Sequence, residues 1–265
     1  MGIMDSVGHT LMDNDALHFD RTAALSREEQ KLVTLSAPLS AFNGDFVNSL
    51  ATGKSDETLR EGVAQVWNVH DRVSFEVVAL RLVEEGQRSA YQPIWKAITA
   101  TDEAVQTTHP LLKAAMEAWF PAFFQIKARN NFDYRNLASQ ARVLGINLPQ
   151  VLLGSRGWLE AIRLQLHVQP AQIPNLVAWD AVRLASLSRW AVQLGFIDRT
   201  EFVDFAGALM PEVRKTYTAW PQVSAAYIAG GLIWNASEAR EENLLRTNAL
   251  LLSVANSPYR TVAFG

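Results

Sequence analysis

The stretch AWDAVRLASLSRWAVQLGFIDRTEF, residues 178–202, contains the strongest structural signals of the sequence. Its apolar residues recur every three or four positions, as they do along one face of a helix. Gly195 stands where a residue in the left-handed conformation ends a helix. Asp198 and Glu201 have the spacing of a capping box, which opens a helix. The stretch therefore predicts two helices joined by a tight turn.

Two charged residues lie on the apolar stripe of the first of these helices. At 100° per residue, Asp180 and Arg183 share this stripe with leucines and a tryptophan, whereas Arg189 projects from the opposite side. A charge that is buried beside apolar groups needs a partner. We expect Asp180 and Arg183 to pair with each other, with another helix end, or with Asp71 or Arg72. The stripe is compatible with a structural ion-pair network, a polar binding pocket or a catalytic pair.

The segment TAWPQVSAAYIAGGLIW, residues 218–234, predicts another buried helix. Trp220, Tyr227, Gly230 and Trp234 fall on one face of it at helical spacing. Each of its two adjacent glycines lowers helix propensity by about 1 kcal/mol. That loss indicates either a close helix crossing or a ligand cleft beside the glycines. Tyr227 is included with the charged residues in the candidate polar network or pocket.

Helical spacing recurs along the whole chain, and period-two alternation is almost absent. We therefore predict an all-α fold, with a single multi-helix domain over residues 55–265 and an N-terminal helical arm over residues 1–54. Helices are predicted at 10–16, at 26–51 with interruptions at Pro38 and Gly44, and at 56–67, 72–85, 89–99, 102–107, 110–129, 133–144, 150–166, 175–194, 199–215, 219–235 and 238–254.

Composition narrows the classes of partner and chemistry. The chain has 265 residues, a net charge of −3, 49% apolar residues and no cysteine. Without a dense basic face, nucleic-acid binding is not expected, and no apolar run reaches the length of about 20 residues that spans a membrane. The lack of cysteine excludes disulfides and Cys nucleophiles, which fits the cytoplasm. The five histidines lack zinc-helix spacing, and no phosphate-binding or nucleophile motif occurs, so we predict neither metal nor cofactor.

Three blocks of the chain resemble the bacterial domain-of-unknown-function family 1266. They are WNVHDRVSFEVVALRLVEEGQR (residues 67–88), the 178–202 stretch and the 218–234 segment. The resemblance extends over about residues 55–265 and is carried by Trp67, Asp71, Arg72, Leu82, Gly86, Arg88, Trp179, Asp180, Arg183, Arg189, Trp190, Gly195, Phe196, Ile197, Trp220, Tyr227, Gly230 and Trp234. Gln87 stands where the family often has a histidine. The resemblance implies a helical fold in a bacterial cytoplasm and brings no established activity.

Two classes of function remain open at this stage. The first is a non-enzymatic interaction protein, an adaptor or an immunity-like protein, that binds another bacterial protein. It predicts an exposed apolar or acidic patch. The second is an enzyme of unrecognised type in which Asp71, Arg72, Asp180 and Arg183 converge on a charged pocket. It predicts an open cavity instead of a closed network between the helices.

Overall fold

The computed structural model describes residues 16–106, 134–235 and 238–265. Within these ranges the chain forms twelve α-helices, which are α1 Arg27–Asn43, α2 Asp56–Trp67, α3 Arg72–Glu84, α4 Arg88–Gln106, α5 Tyr134–Val143, α6 Leu148–Leu166, α7 Val177–Gln193, α8 Arg199–Gly207, α9 Met210–Thr216, α10 Trp220–Trp234, α11 Glu238–Ser253 and α12 Pro258–Thr261. The same ranges contain no strand, and His18 and Phe46 form an isolated bridge. The chain is thus an all-α domain, as predicted.

Helix α7 lies at the centre of the fold. It packs against α1, α3, α8 and α10, and 14 of its 17 residues are buried. A helix enclosed in this way has no solvent face on which to place charges. Asp180 and Arg189 are both 0% exposed. The helix wheel placed Arg189 opposite the apolar stripe, but that side of α7 is also inside the protein.

Helix α1 joins the N-terminal part of the chain to this core. Ser26 and Glu29 form the predicted capping box, and Leu32 and Leu35 belong to the main hydrophobic cluster. The predicted interruption at Pro38 is wrong, because the helix continues through it to Asn43. Burial against neighbouring helices offsets the hydrogen bond that a proline removes.

The N-terminal region is described only in part. The division of the chain at residue 54 stays a prediction, although α1 packs into the main core. The helix predicted at 10–16 lies outside the described residues except for its last position. The helix predicted at 110–129 lies outside them entirely.

Two other boundary predictions are wrong. The segments predicted as 89–99 and 102–107 form the single helix α4, so the predicted gap at residues 100–101 is absent. The segment predicted as 199–215 is divided at Ala208 into α8 and α9. Pro211 lies in the first turn of α9, where a missing N–H group is tolerated, so a helix restarts there. None of the helices in the described ranges combines the length and apolar character needed to cross a membrane.

Candidate functional site

Asp180 occupies the first turn of α7 and faces the start of α4. Its Oδ1 and Oδ2 both accept from the backbone N–H of Gln87 at 3.0 Å, and Oδ2 accepts from the N–H of Arg88 at 2.9 Å. The first amides of a helix lack partners within that helix and carry a partial positive charge. The Asp180 carboxylate therefore caps α4 from a different part of the chain, which accounts for a buried anion at this position.

Arg88 connects the same carboxylate to the end of α3. Its Nη1 donates to Asp180 Oδ2 at 3.2 Å and to the Leu82 carbonyl at 2.8 Å, and its Nη2 donates to the Val83 carbonyl at 2.6 Å. These carbonyls lie in the last turn of α3, where acceptors are unpaired and cations are favoured. Asp180 and Arg88 thus join the end of α3, the start of α4 and the start of α7.

Arg183 lies one turn further along α7, between two indole rings. Its guanidinium carbon is 4.8 Å from the ring centre of Trp67 and 4.7 Å from that of Trp179. Nη1 donates to Gln87 Oε1 at 2.8 Å and to Asp180 Oδ1 at 3.4 Å. Burial lowers the pKa of Arg183, and the negative charge of Asp180 opposes that shift. We call Asp180, Arg183, Gln87, Arg88 and Trp179 the Asp180 cluster.

Tyr227 of α10 packs against this cluster through Trp179. The two rings are 5.3 Å apart at 32°, and a Cβ atom at Gly230 would lie 2.6 Å from Trp179 Cγ. The glycine therefore allows the indole to lie directly on the backbone of α10, which is the close packing that the sequence indicated. Burial raises the pKa of Tyr227 to about 12, against the opposing charges of Arg240 and Arg183.

Asp71 and Arg72 lie outside this cluster. Asp71 is the N-cap of α3 and accepts from Ser74 N at 2.8 Å, whereas the exposed Arg72 pairs with Glu76 and Glu201. Both residues are at the start of α3, and the cluster is at its end. A helix of 13 residues is roughly 20 Å long. The expected pairing of either residue with Asp180 is therefore wrong, because the length of the helix separates them.

The sequence analysis missed the partners that complete the cluster. Gln87 and Arg88 supply the donors to Asp180, and Gln87 Oε1 also accepts from Trp179 Nε1 at 2.9 Å. The signal was the turn at Gly86, which has φ +55° and directly precedes them. A left-handed glycine ends a helix, and the helix that follows directly begins with amides that need acceptors. Sequence spacing alone does not say which carboxylate supplies them.

Arg189 forms a second buried network at the other end of α7. It donates to Ser40 Oγ and to the carbonyls of Phe46 and Ala51, each at 2.6 Å, and to the Leu50 carbonyl at 3.3 Å. Burial lowers its pKa to about 10, and the charge of Asp45 opposes the shift. Arg189 thus attaches the segment between α1 and α2 to the central helix through neutral acceptors.

Residues 62–264 match the sequence pattern of the family described as protein of unknown function (DUF1266). The chain belongs to this family. Neither the curated proteins nor the solved structures include a significant match. The DUF1266 region contains the whole Asp180 cluster and most of the described core, so both belong to the part of the chain that matches the family.

In this DUF1266 protein the carboxylate of Asp180 has its hydrogen-bond acceptors occupied by groups of the protein itself. The two carboxylate oxygens together accept from two backbone amides and two guanidinium groups, which uses the acceptor capacity of a carboxylate. No group of three or more potential metal-ligating His, Cys, Asp or Glu residues occurs in the described ranges. Asp180 is therefore placed to hold three helix ends together.

Proposed function

We propose that this protein is a non-enzymatic protein-interaction module whose docking surface is the outer face of α3. The observation that carries the proposal is a row of three exposed aliphatic side chains. Val73, Val77 and Leu80 are 69%, 62% and 53% exposed. Their spacing of four and three residues places them on one face of the helix. We call these three residues the α3 stripe.

Helix α3 has apolar side chains on its buried face as well as on the exposed face that carries the α3 stripe. Phe75, Ala79 and Leu82 of the same helix are buried in the core, so the stripe is not needed for α3 to pack against the domain. Contiguous apolar groups on a protein surface are a feature of interaction sites. The stripe therefore supports a surface that is covered when a partner binds.

The charges beside the α3 stripe indicate the chemistry of the partner. Glu76 and Arg81 follow the stripe on opposite flanks when α3 is viewed at 100° per residue. Both are solvent-accessible, because Glu76 retains 37% of its side-chain exposure and Arg81 is exposed. Glu76 is already paired with Arg72, so the complementary partner is an amphipathic helix of another protein with an acidic side chain facing Arg81.

The alternative, an enzyme with a charged pocket, receives less support from the contacts of its predicted residues. Asp71 and Arg72 do not converge with Asp180, and the oxygens of Asp180 are occupied by structural donors. A general base needs a free lone pair within reach of its substrate.

The proposal includes a bacterial cytoplasmic setting and a protein partner, for which the cysteine-free composition and modest net charge are the support.

The test compares partner binding by the wild-type protein and by Val77→Asp, which places a charge in the centre of the α3 stripe. Each is used as bait in extract of the native host, and bound proteins are quantified by mass spectrometry. We expect one partner to be lost with Val77→Asp and also with Arg81→Glu. Equal recovery of all bound proteins by wild type and Val77→Asp would overturn the proposal.

Leu164→Asp is the matched control. Leu164 is 69% exposed on α6, so its replacement adds the same charge at an equally exposed aliphatic position away from α3. It is expected to retain the partner. Light scattering of the purified proteins tests whether a second copy of this chain covers the α3 stripe. A wild-type protein that is a dimer and a Val77→Asp variant that is a monomer would show that the partner is this chain and not a different protein.

A further inference from the structure

The guanidinium of Arg183 is only partly used by the protein. Arg183 has five N–H donors, but its hydrogen bonds in the described part of the chain come from Nη1 alone. One of these two bonds, to Asp180 Oδ1, is long at 3.4 Å. Nε and Nη2 make no hydrogen bond with any described residue. Because the Arg183 side chain keeps 13% of its exposure, these two nitrogens are available to a ligand that reaches them from solvent.

Two tyrosine hydroxyls beside Arg183 have the same property. Tyr91 and Tyr227 are 2% and 1% exposed, and neither hydroxyl forms a hydrogen bond to any part of the chain that the structure describes. The Tyr227 ring and the Arg183 guanidinium both pack against Trp179, at 5.3 Å and 4.7 Å between centres, and the charge of Arg183 acts on both tyrosines. Buried tyrosine hydroxyls usually find a partner.

The fully buried Tyr217 and the partly buried Tyr259 follow that rule. Tyr217 is 1% exposed and donates to the Asn175 carbonyl at 2.7 Å. Tyr259 makes a 3.1 Å hydrogen bond with Ser224. The unpaired hydroxyls of Tyr91 and Tyr227 are therefore a local feature of the surroundings of Arg183 and not a general property of the fold.

The charge around these groups is positive. Arg88 and Arg183 share the carboxylate of Asp180, and Arg240 adds a third cation close enough to act on both Tyr227 and Arg183. Arg183 shares the Asp180 carboxylate with Arg88, which also has Glu212 at 3.9 Å. The charge of Arg183 is therefore only partly balanced by Asp180 in a region of low dielectric, which favours a bound anion. A cationic ligand would be repelled from the same place.

The unused donors of Arg183 are held in position before any ligand arrives. The guanidinium is stacked between Trp67 and Trp179, and Gln87 Oε1 accepts from both Arg183 Nη1 and Trp179 Nε1. The Arg183 side chain keeps 13% of its exposure, so the site is reachable from solvent. A donor whose side chain is already ordered loses little entropy when it binds a ligand.

We propose that Arg183, Tyr91 and Tyr227 form a binding site for the oxyanion group of a small ligand, a carboxylate or a phosphate. The planar guanidinium edge donates two parallel hydrogen bonds to such a group. The two hydroxyls donate to the remaining lone pairs of a carboxylate or to the other oxygens of a phosphate. Arg240 and Arg88 contribute charge without a required contact. This site lies inside the domain and does not depend on the α3 stripe.

The experiment measures binding of sodium phosphate and of sodium acetate to the full-length protein by titration calorimetry, with sodium chloride keeping the ionic strength constant. Wild type is expected to bind at least one of the two anions. Tighter binding of phosphate identifies a phosphorylated ligand, and tighter binding of acetate a carboxylate ligand. Absence of binding by both anions would overturn the proposal.

The variants remove one hydroxyl at a time, because replacing Arg183 would also disturb the stacked indoles. Tyr91→Phe and Tyr227→Phe are each expected to weaken anion binding about tenfold, as loss of a hydrogen bond to a charged group does. Their stability is expected to be unchanged, since no internal hydrogen bond is lost. Tyr217→Phe is the control, with binding within about twofold of wild type. Unchanged binding by both Tyr91→Phe and Tyr227→Phe would contradict the assignment.

Val77→Asp separates this site from the docking surface. It is expected to bind the anion as wild type does, because Val77 lies on the exposed face of α3. Failure of the α3 stripe to bind a partner would leave anion binding unaffected. Failure of anion binding would likewise leave the docking result standing.

Discussion

Gly86 and Asp180 are in direct contact across the junction of α3 and α4. A Cβ atom at Gly86 would lie 2.1 Å from Asp180 Oδ2 and 2.6 Å from Asp180 Cγ. Gly86 also has φ +55°, a conformation that costs side-chain-bearing residues about 1–2 kcal/mol. The glycine thus allows both the turn and the approach of the carboxylate to the amides of α4.

Gly86→Ala is expected to lower the free energy of unfolding by about 3 kcal/mol or more, because backbone strain and displacement of Asp180 add together. Urea denaturation measures the change. Gly195→Ala is the control, since Gly195 has φ +71° and no atom within 4 Å of an added Cβ. That control is expected to lose about 1–2 kcal/mol. Equal losses for the two variants would refute the role of the contact.

Asp180→Asn is expected to destabilise the protein by about 3–5 kcal/mol. The amide retains one acceptor oxygen, and its NH₂ group faces the N–H donors of Gln87 and Arg88, which already point at Asp180. Chemical denaturation gives the value. Asp71→Asn removes a charge at an exposed helix cap, where asparagine serves equally well, and should change stability by about 0.5 kcal/mol or less. Wild-type stability of Asp180→Asn would mean that the buried carboxylate is not structural.

Arg189→Lys is expected to destabilise by about 2–3 kcal/mol, because one ammonium group does not reach all the acceptors that the guanidinium fork connects. The carbonyls of Phe46 and Ala51 are the acceptors expected to lose their hydrogen bonds. Hydrogen exchange is expected to accelerate at the amide of Phe46, which donates to the Thr52 carbonyl. Arg27→Lys, at an exposed position of α1, should leave both stability and exchange unchanged.

Glu29 is expected to make the fold sensitive to acid. Hydrogen bonds from Arg199 lower the pKa of Glu29 from 4.5 to about 2, so its stabilising effect is complete above pH 4.5 and is lost as the pH falls toward 2. Because Arg199 is half-exposed, water weakens its interaction with Glu29. Wild type is expected to be more stable at pH 5.5 than at pH 3, and we expect Glu29→Gln to reduce that difference in unfolding free energy by about 1–2 kcal/mol. Urea denaturation at both values checks this.

The neighbouring acid is the control for this measurement. Glu28 is exposed on the first turn of α1, and Glu28→Gln should keep the pH dependence of wild type. The same slope for Glu29→Gln and wild type between these pH values would show that the Arg199 pair does not contribute to acid sensitivity.

Local sequence signals predicted the helices and their ends well. The capping boxes at Ser26 and Asp198 and the left-handed Gly195 are present as expected. The errors occurred at Pro38, which lies inside α1, at residues 100–101, which α4 spans without a break, and at Ala208, where α8 ends. A proline ends an isolated helix more readily than one held by packing on several sides, and single-residue preferences do not contain that packing.

The candidate site was only partly accessible from sequence. Helical spacing correctly placed Asp180 and Arg183 side by side, since residues three apart on a helix are neighbours. It could not assign Gln87 and Arg88 to Asp180, because those contacts join residues more than 90 positions apart. Asp71 and Arg72 were predicted as possible partners of Asp180 and Arg183, but the length of α3 separates them from the cluster.

The sequence by itself determined the all-α class, the positions of most helix ends and the presence of charges on the stripe of α7. These properties depend on backbone hydrogen bonding and side-chain periodicity over a few residues. Only the tertiary structure decided that α7 is enclosed and that Arg189 is buried on its other side. It also decided that Arg183 Nε and Nη2 and the hydroxyls of Tyr91 and Tyr227 have no hydrogen-bond partner among the described residues. Burial and partner choice depend on which distant segments meet, and local spacing carries no information about that.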